Sequence, residues 1–140
     1  MKRELPSNVR PWKEIRAFAR TNRMARLIEL PKPTAETIDG FLTENVRLDE
    51  ERMQLRGLFR GIDRVPQGNI SLAVSRRDVN RIAEIFEFRV TEEGRTPYAS
   101  NVYKSLINTD QLFRSAGGQV SLAFQDRMVR LKAMLGLPSY

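Results

Sequence analysis

The period of the apolar positions changes along the chain. Ile15, Phe18 and Ala19, with Trp12 at their edge, fall on one helical face, and Lys13, Arg16, Arg20 and Arg23, at steps of three, four and three, fall on the adjacent one. Met24, Leu27 and Ile28 then occupy the side that the arginines held. One straight amphipathic helix cannot serve both halves. The pattern therefore predicts a helix of about three turns ending near Asn22, followed by an extended or differently packed segment over "RLIELP". Residues 1–10 are polar, carry Pro6, and read as a flexible basic arm.

"PKPT", residues 31–34, is a rigid connector that places Thr34 as an N-cap. Beyond it, Ile38, Phe41, Leu42, Leu48, Leu55, Leu58, Phe59 and Ile62 recur at roughly helical spacing. Glu44 with Arg47, and Arg47 with Glu51, would pair along that helix, and Gly40 and Gly57 predict a kink. Arg52, Arg56 and Arg60 form a row beside Asp49, Glu50 and Glu51, which reads as a solvated face. "VPQGN" is a turn.

"NISLAVS" alternates strictly, so a short strand near 70–74 buries Ile70, Leu72 and Val74. Ser75 follows as an N-cap with Asp78 in capping-box position, and Val79, Ile82, Ala83, Ile85 and Phe86 give the next helix its apolar face. A competing parse makes "EIFEFRV" a second strand, with Phe86, Phe88 and Val90 on one side; the helical parse is preferred. Gly94 closes that helix, and Thr96 as N-cap with Pro97 at the first helical position opens another through Tyr98, Val102, Tyr103, Leu106 and Ile107. Thr109 caps a further short helix that stops at Gly117 and Gly118. The last helix carries Val120, Phe124, Met128, Leu131 and Leu135 and ends at Gly136 and Pro138. The sum is a mainly α chain, α+β at most: a helical N-terminal hairpin, one short strand near 70–74, and three or four C-terminal helices. Residues 1–64 would form the arm and hairpin, and 65–140 a strand–helix–helix unit with the C-terminal helix, or the two would make one domain.

Composition narrows the chemistry. At 41% hydrophobic the chain of 140 residues can bury a core. It has no cysteine and no histidine, which removes disulfides, thiolate zinc sites, and the usual general base and metal ligand near neutral pH. The adjacent acids Asp49, Glu50 and Glu51 diverge on a helix and cannot chelate one ion. Tyr98 and Tyr103 are five apart and do not share a helical face, and neither a phosphate loop nor a dinucleotide fingerprint occurs. No enzyme, cofactor or metal is expected. With no run of 18 apolar residues and no signal-like apolar stretch at the start, a soluble cytoplasmic protein without a membrane role is expected.

Charge points to the partner. The net charge is +7, and arginine supplies 19 of the 24 cations. Arginine forks match phosphate and carboxylate geometry, although GC-rich coding also enriches arginine. Residues 1–30 carry a net +5, residues 31–75 a net −1 and residues 76–140 a net +3. Basic ends around a balanced middle favour an acidic partner met by the ends.

The runs "ISLAVSRRDVNRI" and "EGRTPYASNVYKSLI" resemble the ribbon-helix-helix (Arc/MetJ-like) family of DNA-binding dimers. The resemblance covers residues 69–108, under a third of the chain. It implies that the strand pairs with its copy in a second subunit, that Asn69, Ser71 and Ala73 face the major groove, and that backbone amides near Thr96 to Ala99 meet phosphate. Ile70, Leu72, Val74, Val79, Ile82, Val102 and Leu106 would be core. Three departures stand against the family pattern. The first helix runs about one turn longer, the turn has an extra residue, and Ala73 replaces a long polar reader.

The expected function is therefore non-enzymatic nucleic-acid binding and transcription regulation by a homo-oligomer, with DNA as the first candidate. The expected contacts are Lys13, Arg16, Arg20, Arg23, Asn69, Ser71, Arg76, Arg77, Arg95 and Thr96. Two alternatives remain open: a small phage- or plasmid-type adaptor on the transcription machinery, such as RNA polymerase, or a structural subunit of a nucleoprotein or virion assembly.

Overall fold

A computed structural model of the chain describes residues 25–59, 62–64 and 67–138. The arm over residues 1–10 and the helix expected to end near Asn22 lie outside the described residues. What is described is mainly helical α+β: five helices and a two-stranded antiparallel sheet.

The strand at "NISLAVS" forms as its alternation requires. This is β2, Asn69–Ser75, with Ile70, Leu72 and Val74 buried and the residues between them more open. A second strand, β1, Ala25–Pro31, corrects the expectation of one strand. The two run antiparallel, with Leu30 opposite Ile70, Ile28 opposite Leu72, and Glu29 opposite Ser71. Of the two alternatives for "RLIELP", extended or differently packed, the extended one is found. The strand that pairs with it lies 38 to 50 residues away in register, beyond the reach of a local pattern.

Pro31 leads directly into helix α1, Lys32–Asn45, so Thr34 sits inside the first turn instead of capping it. Its hydroxyl is buried and has no hydrogen-bond partner. The long kinked helix is instead two helices. The chain leaves α1 at Val46, and helix α2, Asp49–Arg56, starts with Asp49, Glu50 and Glu51 in its first turn, where acids suit the positive end of the helix dipole. Gly40 causes no break. Leu48, placed by spacing on the apolar face, is 71% exposed in the connection. Arg52 donates from Nε and Nη2 to the Val46 carbonyl at 3.1 and 2.7 Å, so it closes the joint between the two helices. The break also dissolves the expected pairs along one helix: Glu44 meets Arg89 and Glu51 meets Arg81. Two 3-10 turns, Gly57–Phe59 and Ile62–Arg64, bury Phe59 and Ile62.

Helix α3, Arg76–Glu93, opens on the expected capping box: Ser75 Oγ accepts from the Asp78 N–H, and Asp78 accepts from the Ser75 N–H. "EIFEFRV" is helical, which leaves Phe88 on the exposed side. Gly94, at φ +76°, ends the helix and donates to the Val90 carbonyl. Helix α4, Ala99–Ser115, begins later than expected. Tyr98, at φ +60°, is its N-cap, and the Thr96 hydroxyl caps nothing. Helix α4 is also continuous through Thr109, whose hydroxyl bonds back to the Ser105 carbonyl at 2.7 Å. Ser121 caps helix α5, Leu122–Met134, by accepting from the Phe124 N–H. The core runs through all of these elements. Phe41 stacks on Phe86 at 5.8 Å, and Phe113 and Phe124 are fully buried. The buried faces read from the sequence, Val79 to Phe86 and Val120 to Leu135, are the buried faces here.

Candidate nucleic-acid interface

The candidate contact residues that are described fall into three separate places. Lys13, Arg16, Arg20 and Arg23 lie outside the described residues. Asn69 and Ser71 stand on the outer face of the sheet, away from the core, beside Leu27 and Glu29. That face therefore carries a carboxylate next to Ser71. Arg76 and Arg77 sit at the other end of β2, about 20 Å along the strand at its usual rise, where α3 begins.

Arg76 turns inward. Its guanidinium lies 5.7 Å from the centre of the buried Phe113 ring, and Arg26 from β1 approaches the same ring at 5.6 Å. Such contacts are worth about 0.5–1 kcal/mol at accessible sites. The Arg76 head fills the space over Gly118, where an added Cβ would collide with its Nη2. Its Nε is buried without a hydrogen-bond partner. Arg77 is exposed and faces a groove of about 330 Å³ between α2 and α3, whose opposite wall carries Asp49, Glu50 and Glu51.

Arg95 and Thr96 form the third place, in the turn before α4. Arg95 donates to Ser100 Oγ at 2.7 Å and reaches the Leu135 carbonyl at 3.5 Å, so it ties this turn to the end of α5. The Thr96 carbonyl accepts from the Ala99 N–H, which occupies one of the amides expected to meet phosphate.

Much of the remaining arginine is committed internally. Arg81 donates to both carboxylate oxygens of Glu51, at 2.9 and 3.1 Å, and also meets Glu84. These acids raise the Arg81 pKa above its already high value, the Glu51 hydrogen bond first among the causes. Arg89 pairs with Glu44 and Glu93 and lies over the Phe41 ring. Glu87 on α3 receives Arg127 and Arg130 from α5, and their hydrogen bonds and charge, the Arg130 hydrogen bond foremost, lower its pKa against the cost of burial.

Sequence reasoning passed over Asp110. It is 4% exposed and accepts from the Val120 N–H at 2.9 Å, from Gln125 at 2.8 Å and from Arg114 at 2.8 Å. A readable signal was present: Leu106, Asp110 and Phe113 follow the buried phase of α4, and a carboxylate on that phase must be held by donors.

Among the described residues no three His, Cys, Asp or Glu side chains gather to hold a metal ion. No described helix is long and apolar enough to cross a membrane. Compared with known proteins, the chain matches no family model, no curated protein and no solved structure.

Proposed function

We propose that this chain is a non-enzymatic nucleic-acid-binding protein of the transcription-regulating kind, and that its basic N-terminal segment is the principal phosphate contact. The observation that carries this reading is the segregation of charge. Residues 1–24 hold seven of the 24 cations and two of the 17 acids, a net +5, which leaves only +2 for the other 116 residues. Within those, Arg81, Arg89, Arg114, Arg127 and Arg130 are turned to carboxylates of the same chain. An acidic polymer is therefore drawn to the N-terminal segment first. The outer face of the sheet is a weaker candidate, because Glu29 beside Ser71 repels phosphate.

The test is a titration of duplex DNA across about 50–200 mM salt. Binding through several phosphates gives a steep fall of affinity with salt. Replacing Arg16, Arg20 and Arg23 with Gln lowers the affinity and reduces the logarithmic slope by about 0.9 per lost duplex contact. Undetectable binding at low salt sinks the reading. A protein-binding adaptor is the second reading, and α5 favours it: Leu122 and Val129, seven residues apart on one helical face, are 73% and 70% exposed. That reading predicts capture of a protein partner that survives nuclease and is lost when both are changed to Ser.

A further inference from the structure

Among the described residues, the β1 edge of the sheet is unpaired. In an antiparallel pair the residues alternate between those that exchange hydrogen bonds with the partner strand and those whose N–H and C=O point away. The Lys32 N–H donates to the Gly68 carbonyl at 2.9 Å, next in register after Pro31 and Asn69. Counting back by twos, Leu30, Ile28 and Arg26 bond to β2. Leu27 and Glu29 therefore turn their backbone groups outward. No described strand pairs with that side of β1. Pro31 blunts its end and Glu29 adds a charge, both usual guards of an edge, but Leu27 and Glu29 keep the backbone N–H and C=O that a matching strand needs.

A groove of about 270 Å³ runs beside β1, between it and α4. Ile28 and Leu30 line one side. Asn101, Lys104 and Asn108, stepping by three and four along α4, line the other. All three are exposed, and none has a hydrogen-bond or ion-pair partner among the described residues. Thr34, with its buried and unpartnered hydroxyl, also borders the groove. A hydrogen-bonding edge next to a row of free polar side chains is a wall pair suited to a main chain.

We propose that this groove takes an extended peptide segment of a partner protein, which adds to β1 as a third strand. Its backbone pairs with Leu27 and Glu29, the mode in which sheet edges capture peptides. Its side chains alternate. Those on the core side pass over Asn101, Lys104 and Asn108, and those on the other side lie beside Leu27 and Glu29. Lys104 has no carboxylate and Glu29 no cation among the described residues. The segment that fits therefore carries an acid facing α4 and a base on its opposite side next to Glu29. This proposal is independent of nucleic-acid binding.

The experiment selects binders to the full chain from a displayed library of random short peptides and compares three proteins. Glu29→Pro removes the outward N–H and sets a ring on the open edge, while the bonds at Ile28 and Leu30 stay. Lys104→Glu reverses the charge on the α4 wall; this exposed side chain makes no hydrogen bond or ion pair among the described residues, so the variant keeps the test decisive even if Glu29→Pro fails to fold. Expected are enriched peptides with one acid in alternation with a base, weakened about tenfold or more by either substitution. A base in place of that acid restores binding to Lys104→Glu. No enrichment, or binding that Glu29→Pro (where it folds) and Lys104→Glu leave unchanged, overturns the proposal. So does sedimentation of the wild type as a dimer that Glu29→Pro dissociates, because the edge then belongs to a second copy of the chain.

Discussion

Asp110 shows what one buried carboxylate can hold together. One oxygen receives the Val120 N–H of the turn after α4, and the other receives Gln125 from α5 and Arg114 from its own helix. Burial alone would raise its pKa, but the three donors outweigh it and the net shift is downward. A carboxylate with a depressed folded pKa adds stability that is complete above its unfolded value, near 4, and lost as pH falls through the folded value. Asp110→Ala leaves the buried Val120 N–H unpaired, and should cost about 2–3 kcal/mol at neutral pH. Urea unfolding at neutral and acidic pH checks this. The gap between wild type and variant should narrow below about pH 4, and a gap of constant size would show that the ionised form is not what holds the turn. Gly118 offers a second test at this scale. An alanine there collides with the Arg76 guanidinium, which can swing away only by leaving Phe113. Gly118→Ala should cost about 0.5–1 kcal/mol. In an Arg76→Ala background it should cost close to nothing, and equal costs in both backgrounds would refute the contact.

Elements differ in how much of them local sequence can encode. Strand β2 was legible because its alternation is complete within "NISLAVS", and the start of α3 because both halves of its capping box lie within four residues. Ser75→Ala should therefore cost about 1 kcal/mol, read by thermal unfolding, and a change near zero would mean that Asp78 alone secures the helix start. Strand β1 was legible as a break in helical phase followed by an extended or differently packed "RLIELP", but not as a paired strand, since its pairing partner is distant. The three threonines expected as caps show a different limit. A threonine caps only where the backbone leaves the helix. Pro31 had already started α1 before Thr34, the left-handed Tyr98 postponed α4 past Thr96, and at Thr109 the buried phase of Val102, Leu106, Thr109 and Phe113 simply continues. That last phase is complete in the sequence and argues against a stop. The candidate contacts were legible as charge and much less as position. Arg52 could be read as a solvated row because its target, the Val46 carbonyl, exists only once the helix breaks.

At the scale of the whole molecule, the arginine count does not separate side chains committed to the chain's own carboxylates from those proposed for phosphate. Ion pairs tie α3 to three of its neighbours: Glu44 from α1 and Glu51 from α2 meet Arg89 and Arg81, and Arg127 and Arg130 from α5 meet Glu87. Pairs of this kind join segments 30 to 45 residues apart and are mostly only part-exposed. The net +5 of residues 1–24 has few acids beside it in sequence. Substitutions in the two groups should therefore fail in opposite ways. Arg89→Ala removes two ion pairs and the contact over Phe41, and should lower stability by about 1–2 kcal/mol. It should leave the salt slope for duplex DNA unchanged. Gln at Arg16, Arg20 and Arg23 should flatten that slope and, if these side chains serve phosphate and not the core as proposed, leave the melting temperature within a degree or two. Parallel salt titrations and melting curves on the two variants decide the matter. If Arg89→Ala flattens the slope as much as the triple change does, phosphate is contacted by the folded body, and the division of labour between the two arginine groups is wrong.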